Sequence, residues 1–415
     1  MLEDSGYGRP LRRRGRGNVL THIVMAFLGA ALAAGLLLAL HQPAGGSLPG
    51  SGAVPAPAAS PPPLPGSEQG IVNKVKPGLV IINTTLQYNS EAAAGTGMVI
   101  NADGLVLTNN HVIEDSTKIT ATVTSTGKTY LARVVGYDKT GDVALIQLQN
   151  ASGLTTVPVG NSSSVKAGNV VVALGNAEGQ GAITATAGHI TALNQSITAS
   201  DEGGSTSSET LHGMIQTNAD IVPGDSGGPL ASSAGVIGID TAGNDANDQQ
   251  QAATGFAIPI NTALSAARQI AAGHAGSTIT IGYPAFVGIF IGSGSSSNPQ
   301  AQAQQQEQQN GGTGSTGSAP ACSRSNADLG VPSVIAPAGS GTLVIGTICG
   351  SPAASAGMTG GAVITAVNGK AVGSPDDLGS ILSRFRPGDT ISVTWVSPSG
   401  QRTTRSLHLA AGPPQ

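Results

Sequence analysis

"IQTNADIVPGDSGGPL", residues 215–230, is the stretch on which the fold hangs. It sets one serine, Ser226, in a Gly-Asp-Ser-Gly-Gly-Pro run between apolar residues. A cluster of this kind marks a turn. Gly224 and the Gly227-Gly228 pair allow a backbone path that larger residues would obstruct. Such a turn can aim the N–H groups of Gly224, Asp225 and Ser226 at one point, as a developing oxyanion requires. The alternative is a small polar residue in a tight loop. The choice depends on whether the chain also supplies a base, an orienting acid and a scaffold.

Two other stretches supply them. In "LTNNHVIE" (107–114), His111 follows a strand end at a strand-to-turn junction, where an imidazole can point into a cleft. In "YDKTGDVALIQL" (137–148), Asp142 directly precedes an apolar run that reads as a buried strand. A carboxylate held there can accept from the imidazole and fix its tautomer. Asp138 competes for this role, but it sits inside the "GYDKTG" turn, where Asp commonly bonds its own backbone. The other six histidines (His22, His41, His189, His212, His274 and His408) are read as structural. Each signal is weak alone. The order His, Asp, Ser, with the serine in this glycine-rich run, is strong in combination.

The surroundings suit such a site. Residues 69–290 carry short Val-, Ile- and Thr-rich runs such as "LVIINTT", "YLARVVG", "NVVVALG" and "GFAIPI", separated by turn residues. Regular spacing of this kind predicts an all-β barrel or sandwich. One helix is predicted near its end, with Asn261 as N-cap and Gly273 as stop signal. A C-terminal block (321–411) mixes strands with one short helix, "PDDLGSILSRF", and reads as a small α+β module. The Gln/Ser/Gly-rich stretch 292–320 is expected to lack order. Residues 42–68 form a Pro-rich spacer. The chain thus divides into a basic tail (1–22), an apolar segment (23–40), a linker (41–68), a β-rich domain (69–275) and a second domain (280–412) interrupted at 292–320.

Composition narrows the function classes. Of 415 residues only 10% are charged and the net charge is −4, so nothing argues for a nucleic-acid partner. The one basic run, "RPLRRRGRG" (9–17), precedes "IVMAFLGAALAAGLLLAL" (23–40), 18 residues without a charge. As a helix this segment spans roughly 27 Å, near the thickness of a bilayer's hydrocarbon core. The positive-inside rule puts residues 1–22 in the cytoplasm and the rest outside. A cleaved signal peptide is the rival reading, and it delivers the same compartment. In such a compartment Cys322 and Cys349 are most simply one disulfide, the alternative being two thiols. No metal or organic cofactor is called for.

The stretch 70–272 resembles the trypsin-like serine proteases of the HtrA/DegP type. "GTGMVI" (95–100), "GLVLTNNHVI" (104–113), "GDVALIQL" (141–148), "VALGN" (172–176), "AGHITALN" (187–194), "IQTNADIVPGDSGGPL" (215–230) and "GFAIPIN" (255–261) carry the likeness. The resemblance implies a mainly β, chymotrypsin-like fold of two six-stranded barrels packed at right angles. It implies His111 as general base then acid, Asp142 as orienter, Ser226 as nucleophile, and the Gly224 and Ser226 N–H groups as oxyanion donors. The family more often has Asn where Asp225 stands. In digestive proteases such an Asp pairs with a freed amino terminus; "GIVNKV" (70–75) superficially resembles one, but is read as the family's ordinary N-terminal strand region. Asp220, six residues before Ser226, stands where trypsin-like enzymes carry an acid at the base of the specificity pocket. That implies a preference for Lys or Arg at the cleaved position; the alternative is a solvent-facing carboxylate.

"GSPAASAGMTGGAVITAVNGKAV" (350–372) and "RPGDTISVTW" (386–395) resemble a PDZ domain of the same family. "FVGIF" (286–290) resembles the strand that opens this module, whose loop holds a peptide carboxylate through backbone N–H groups, which would involve Phe286, Val287, Gly288 and Ile289; the alternative is a plain connecting strand. The Gly-Gly-Ala at 360–362 departs from the usual Gly-Asp. The combined expectation is a membrane-anchored, outward-facing serine endopeptidase acting on misfolded or specific proteins through an acyl-enzyme. Its partners would be protein or peptide substrates and, through residues 23–40, the membrane. HtrA-type enzymes are often trimers, so a homo-oligomer is open, although no stretch marks a trimer contact. The alternatives are a PDZ adaptor or chaperone with a silent barrel, and an esterase, which lacks support without a Gly-x-Ser-x-Gly elbow.

Overall fold

The computed structural model describes residues 66–86, 91–200, 208–243, 254–292, 296–309, 322–325 and 329–414. It opens with a helix, α1 (Gly66–Val75), where "GIVNKV" had been read as a strand region. Ile71, Val72 and Val75 are buried, at the 1-4 spacing that lines one helical face, so packing overrides the strand preference of these β-branched residues.

Six strands follow: β1 (Leu79–Leu86), β2 (Glu91–Asn101), β3 (Leu105–Thr108), β4 (Lys118–Val123), β5 (Thr129–Asp138) and β6 (Val143–Leu148). Between β3 and β4 lies a one-turn helix, α2 (Asn110–Ile113). The strands pair in the order β5-β4-β1-β2-β3-β6, and β6 pairs back onto β5, closing a ring. β7 (Val170–Gly175), β8 (Thr184–Ser200), β9 (Ser208–Thr217), β10 (Pro229–Ser232), β11 (Gly235–Gly243) and β12 (Gly255–Pro259) form a second closed six-stranded barrel.

The two-residue period of a strand explains how the rings join. Along β1, Val80 and Ile82 point into the first ring with Val99, Val106 and Ile146. Leu79 and Ile81 point the other way, into a cluster shared with Val172, Leu174, Val236 and Ile239 of the second ring. A third cluster, including Val171, Ile190, Leu230 and Ile237, fills the second ring. Each such side chain, fully buried, contributes about 1.5–3 kcal/mol.

Helix α3 (Ile260–Ala271) follows β12. Its N-cap is Pro259 rather than Asn261, whose amide instead donates to Asn161 Oδ1 and Ser163 Oγ at 2.8 and 3.0 Å. Strand β13 (Ile279–Ile281) then pairs with β5.

The C-terminal part holds β14 (Ala285–Phe286), β15 (Ile289–Ile291), β16 (Thr342–Thr347), β17 (Val363–Val367), β18 (Lys370–Ala371), β19 (Thr390–Val396), β20 (Arg402–His408) and β21 (Ala410–Ala411). Its main sheet runs β15-β16-β17-β19-β20, with β18 paired to β17. α5 (Pro352–Ser355) and α6 (Pro375–Leu382) are capped by Ser351 and Ser374. Within the stretch expected to lack order, Pro299–Gln309 forms a helix, α4. The reason is a tertiary contact. The buried Gln302 amide donates to Ser296 O and Gly341 O at 2.7 Å and accepts from Leu343 N–H at 2.8 Å, so a side chain completes the edge of β16. Cys322 and Cys349 are joined as a disulfide.

The apolar segment 23–40 lies outside the described residues, and among these no helix is long and apolar enough to cross a membrane.

Candidate active site

Strand register brings the site together. β3 and β6 pair antiparallel with Thr108 opposite Ala144. The chain leaving β3 and the chain entering β6 therefore meet at one end of the first ring. His111 lies on α2 just beyond β3, and Asp142 immediately precedes β6. His111 Nδ1 is 2.9 Å from Asp142 Oδ2 and 3.0 Å from Oδ1, and the His111 backbone N–H donates to Oδ1 at 3.1 Å. Asp142 is buried and has a φ of +49°, a left-handed conformation that Asp tolerates better than most residues. The Asn109 amide donates to the Asp142 carbonyl at 2.8 Å. Asp138, which ends β5 rather than lying in the turn, accepts the Gly141 N–H at 3.3 Å and so caps the turn that follows.

The second ring repeats the device. β10 and β11 pair with Pro229 opposite Ile239, so the turn before β10 and the residues after Ile239 lie together. The Gly227 N–H donates to Asp240 O at 2.9 Å and the Asp240 N–H to Gly228 O at 2.8 Å. The next residue, Thr241, donates its hydroxyl to Asp142 Oδ2. A carboxylate from the first ring is thus gripped by a hydroxyl from the second.

Ser226 is half-buried on the turn between β9 and β10. Its carbonyl accepts the Thr96 N–H at 2.9 Å, and Thr96 Oγ1 donates to Gly224 O at 2.8 Å. Gly95 lies between Ser226 and the residue after His111: a Cβ there would sit 2.7 Å from the Val112 side chain and 3.3 Å from Ser226 O. The residue after His111 and the serine therefore flank one glycine. Gly227, at φ +82°, must be glycine, because a Cβ would run into Thr108 Oγ1 and Thr96 O.

One sequence expectation needs correction. The Asp225 N–H donates to Val222 O at 3.0 Å, so it is engaged within the turn and is not available to an oxyanion. Asp225 Oδ2 accepts the Val222 N–H at 3.1 Å, and Gly70-Ile71 lies inside α1. Burial pushes the Asp225 carboxyl up to about 7, with Asp220 and Glu178 adding to the rise and the Val222 N–H opposing it. Asp220 is partly buried. Asp240 is fully buried and raised well above the usual carboxylate range, by desolvation first and Asp225 second. Among the described residues no three of His, Cys, Asp and Glu converge as metal ligands.

Thr241, Thr96 and Asn109 were not singled out from sequence. The only available signal was that "DTAG" (240–243) closes an apolar run as Asp142 opens one.

In the C-terminal part, residues 286–289 do not form one continuous strand. Phe286 ends β14, Gly288 has φ +80°, and Ile289 begins β15. The Val287 carbonyl accepts the Ala353 N–H at 2.9 Å, and the Gly288 carbonyl accepts the Ile348 N–H and the Ser351 hydroxyl at 3.0 and 2.9 Å.

A family model described as a trypsin-like peptidase domain matches residues 95–239. The serine protease PepD of Mycobacterium tuberculosis is 32% identical over 411 residues, covering 95% of this chain and 76% of PepD. The periplasmic pH-dependent serine endoprotease DegQ of Escherichia coli is 33% identical over 303 residues, covering 72% of this chain and 55% of DegQ. The periplasmic serine endoprotease DegP of Escherichia coli is 40% identical over 177 residues, covering 42% of this chain and 35% of DegP. Among solved structures, the HtrA-type protease AlgW with tripeptide is 25% identical with a TM-score of 0.43, over 84% of this chain and 98% of that one. On the family model and the near full-length likeness to PepD, the chain belongs to the HtrA/DegP-type trypsin-like serine proteases and is a serine endopeptidase.

Proposed function

We propose that His111, Asp142 and Ser226 carry out the peptide cleavage through an acyl-enzyme. Ser226 Oγ attacks the carbonyl carbon of the scissile bond while His111 Nε2 takes the hydroxyl proton. Asp142 keeps the other imidazole proton on Nδ1 and stabilises the imidazolium. The Gly224 and Ser226 N–H groups hold the oxyanion. Collapse of the tetrahedral intermediate breaks the C–N bond, and His111 hands its proton to the leaving amine. Water, deprotonated by His111, then attacks the ester, releasing the acid and restoring Ser226. The observation that carries this reading is the Asp142 carboxylate, which His111 engages at 2.9 Å and Thr241 holds from the ring that bears Ser226.

Digestion of casein by the full chain, beside its Ser226→Ala variant, tests the assignment. Wild-type cleavage with none by the variant is the expected result, and equal digestion refutes it. Fluorophosphonate labelling that requires Ser226 excludes the silent-adaptor reading.

The remaining parts fit an enzyme of the cell envelope. DegQ and DegP are named as periplasmic, which supports an extracytoplasmic catalytic part here. Residues 23–40 would anchor it in the membrane, and misfolded or specific envelope proteins would be its substrates. The C-terminal part would act as a PDZ domain. Across each planar peptide the N–H points opposite to the C=O. With the carbonyls of Val287 and Gly288 engaged by Ala353, Ile348 and Ser351, the amides of Gly288 and Ile289 point away from those partners, as a carboxylate-binding loop needs. Asp220 would favour Lys or Arg at the cleaved position; a P1-Arg peptide left uncut while P1-Val is cleaved removes that idea.

A further inference from the structure

Two buried acids behind the nucleophile have no part in the reaction above. Asp225 belongs to the nucleophile turn: its N–H and its Oδ2 form a reciprocal pair of hydrogen bonds with Val222 that closes residues 222–225. The fit behind it is tight, since a Cβ on Gly175 would lie 2.5 Å from Asp225 Oδ1 and 2.9 Å from its Cβ. Asp240 is tied by its backbone to Gly227 and Gly228, the two residues after Ser226. Asp225 Oδ1 is buried without a donor among the described residues, and the buried Asp240 carboxyl has only the Leu174 backbone N–H beside it, too poorly aligned for a full hydrogen bond.

The charged groups around this pair share one sign. Asp220, on the segment after β9, and Glu178, on the short helical turn after β7, press on Asp225; Asp225 presses on Asp240. The Val222 and Leu174 N–H groups oppose them as dipoles. On the far side, Thr241 leads to the Asp142–His111 pair.

We propose that Asp225 is a positioning residue that holds the nucleophile turn in its closed form only while its carboxyl is protonated, with Asp240 as a neutral acid beneath it. Loss of the Asp225 proton places a buried negative charge among other acids, with one backbone N–H to offset it. The turn relieves this by opening toward water, which carries the Gly224 and Ser226 amides out of register. Activity then follows two protons in opposite senses. It rises with pH as His111 becomes a free base, and it falls at higher pH as Asp225 ionises. The falling limb steepens to at most about tenfold per pH unit, as for loss of one proton.

This inference rests on Ser226 being the nucleophile only for its kinetic readout, so the test has two arms on the full chain. In the first, kcat/KM for a peptide substrate is measured from pH 5 to 10. Wild type is expected to give a bell. Asp225→Asn, neutral at every pH, is expected to lose the falling limb, while Asp240→Asn retains it. In the second, hydrogen exchange across 215–230 is followed in a Ser226→Ala background and corrected for intrinsic rates. Exchange is expected to quicken above neutral pH with Asp225 present and to stay level with Asp225→Asn. A falling limb that persists in Asp225→Asn, or exchange that responds to pH equally in both proteins, overturns the proposal. If Ser226 proves unnecessary for cleavage, the exchange arm still decides. Circular dichroism of Asp225→Asn confirms that folded protein is being compared.

Discussion

Replacing Asp142 with Asn removes one charge and almost no volume, and the structure says what must follow. Asn tolerates the left-handed backbone at this position, so the fold is kept. The amide has one acceptor oxygen and an NH₂ group that only donates, where the carboxylate had two acceptor oxygens. The oxygen must stay at the Oδ1 position, because the His111 backbone N–H there can only donate. The NH₂ group then faces Thr241, whose hydroxyl can turn round to accept, and His111 Nδ1, 2.9 Å away. An NH₂ group at the nearer contact favours the tautomer with a bare Nδ1, which puts the proton on Nε2, where it blocks the base. The imidazolium also loses its counter-charge. Two unit charges about 3 Å apart at an effective dielectric of about 20 attract by roughly 6 kcal/mol. That corresponds to a fall in kcat of about 10⁴. The assay is peptide hydrolysis near pH 8 on protein with wild-type thermal stability. A loss of less than about 30-fold refutes the view that Asp142 acts through the tautomer and charge of His111.

Three further outcomes follow from the same geometry. Thr241→Val deletes one hydrogen bond to a charged group, worth about 1.5–3 kcal/mol, so kcat should fall roughly 10- to 100-fold with little change in KM. Asp225 has a folded-state value raised from 3.8 to about 7, so the native state binds its proton more tightly than the unfolded chain does. Its contribution to stability is therefore full below about pH 4, lost progressively as pH rises to about 7 and flat above, a total of about 4 kcal/mol. Asp225→Asn should flatten that part of the denaturation midpoint against pH, and an unchanged slope contradicts the burial argument. Reducing Cys322–Cys349, which are 27 residues apart, should cost the C-terminal part about 3 kcal/mol, read as a lower midpoint in reductant for wild type but not for a Cys322→Ala, Cys349→Ala protein.

The pairing of His111 with Asp142 could be read from the sequence because a histidine just past one strand and an acid just before another stand where antiparallel strands bring their ends together. Asp142 could even be told from Asp138, since one directly precedes a buried strand and the other, at the end of β5, turns its carboxylate onto the backbone of the turn that follows. Thr241 and Thr96 could not be found in this way. Their importance comes from strand register across two rings, and a threonine in a β-rich chain carries no distinguishing mark. α1 was hidden because its buried residues are β-branched, and only contact with the second ring makes them helical. α4 was hidden for the opposite reason: its composition lacks an apolar stripe, and one buried glutamine amide ties it to the sheet. Asn261 looked like a cap in the chain and proved to be a clamp to a loop 100 residues earlier.

The grip of Thr241 on Asp142 ties the two rings together, so under the proposed mechanism catalytic competence belongs to two docked halves rather than to either one. A wedge driven into the seam need displace the partners by only about 1 Å to cost about 100-fold in rate, with both halves still intact. Small molecules lodged there would act as shutters on the enzyme, and resistance to them would arise at positions no substrate touches.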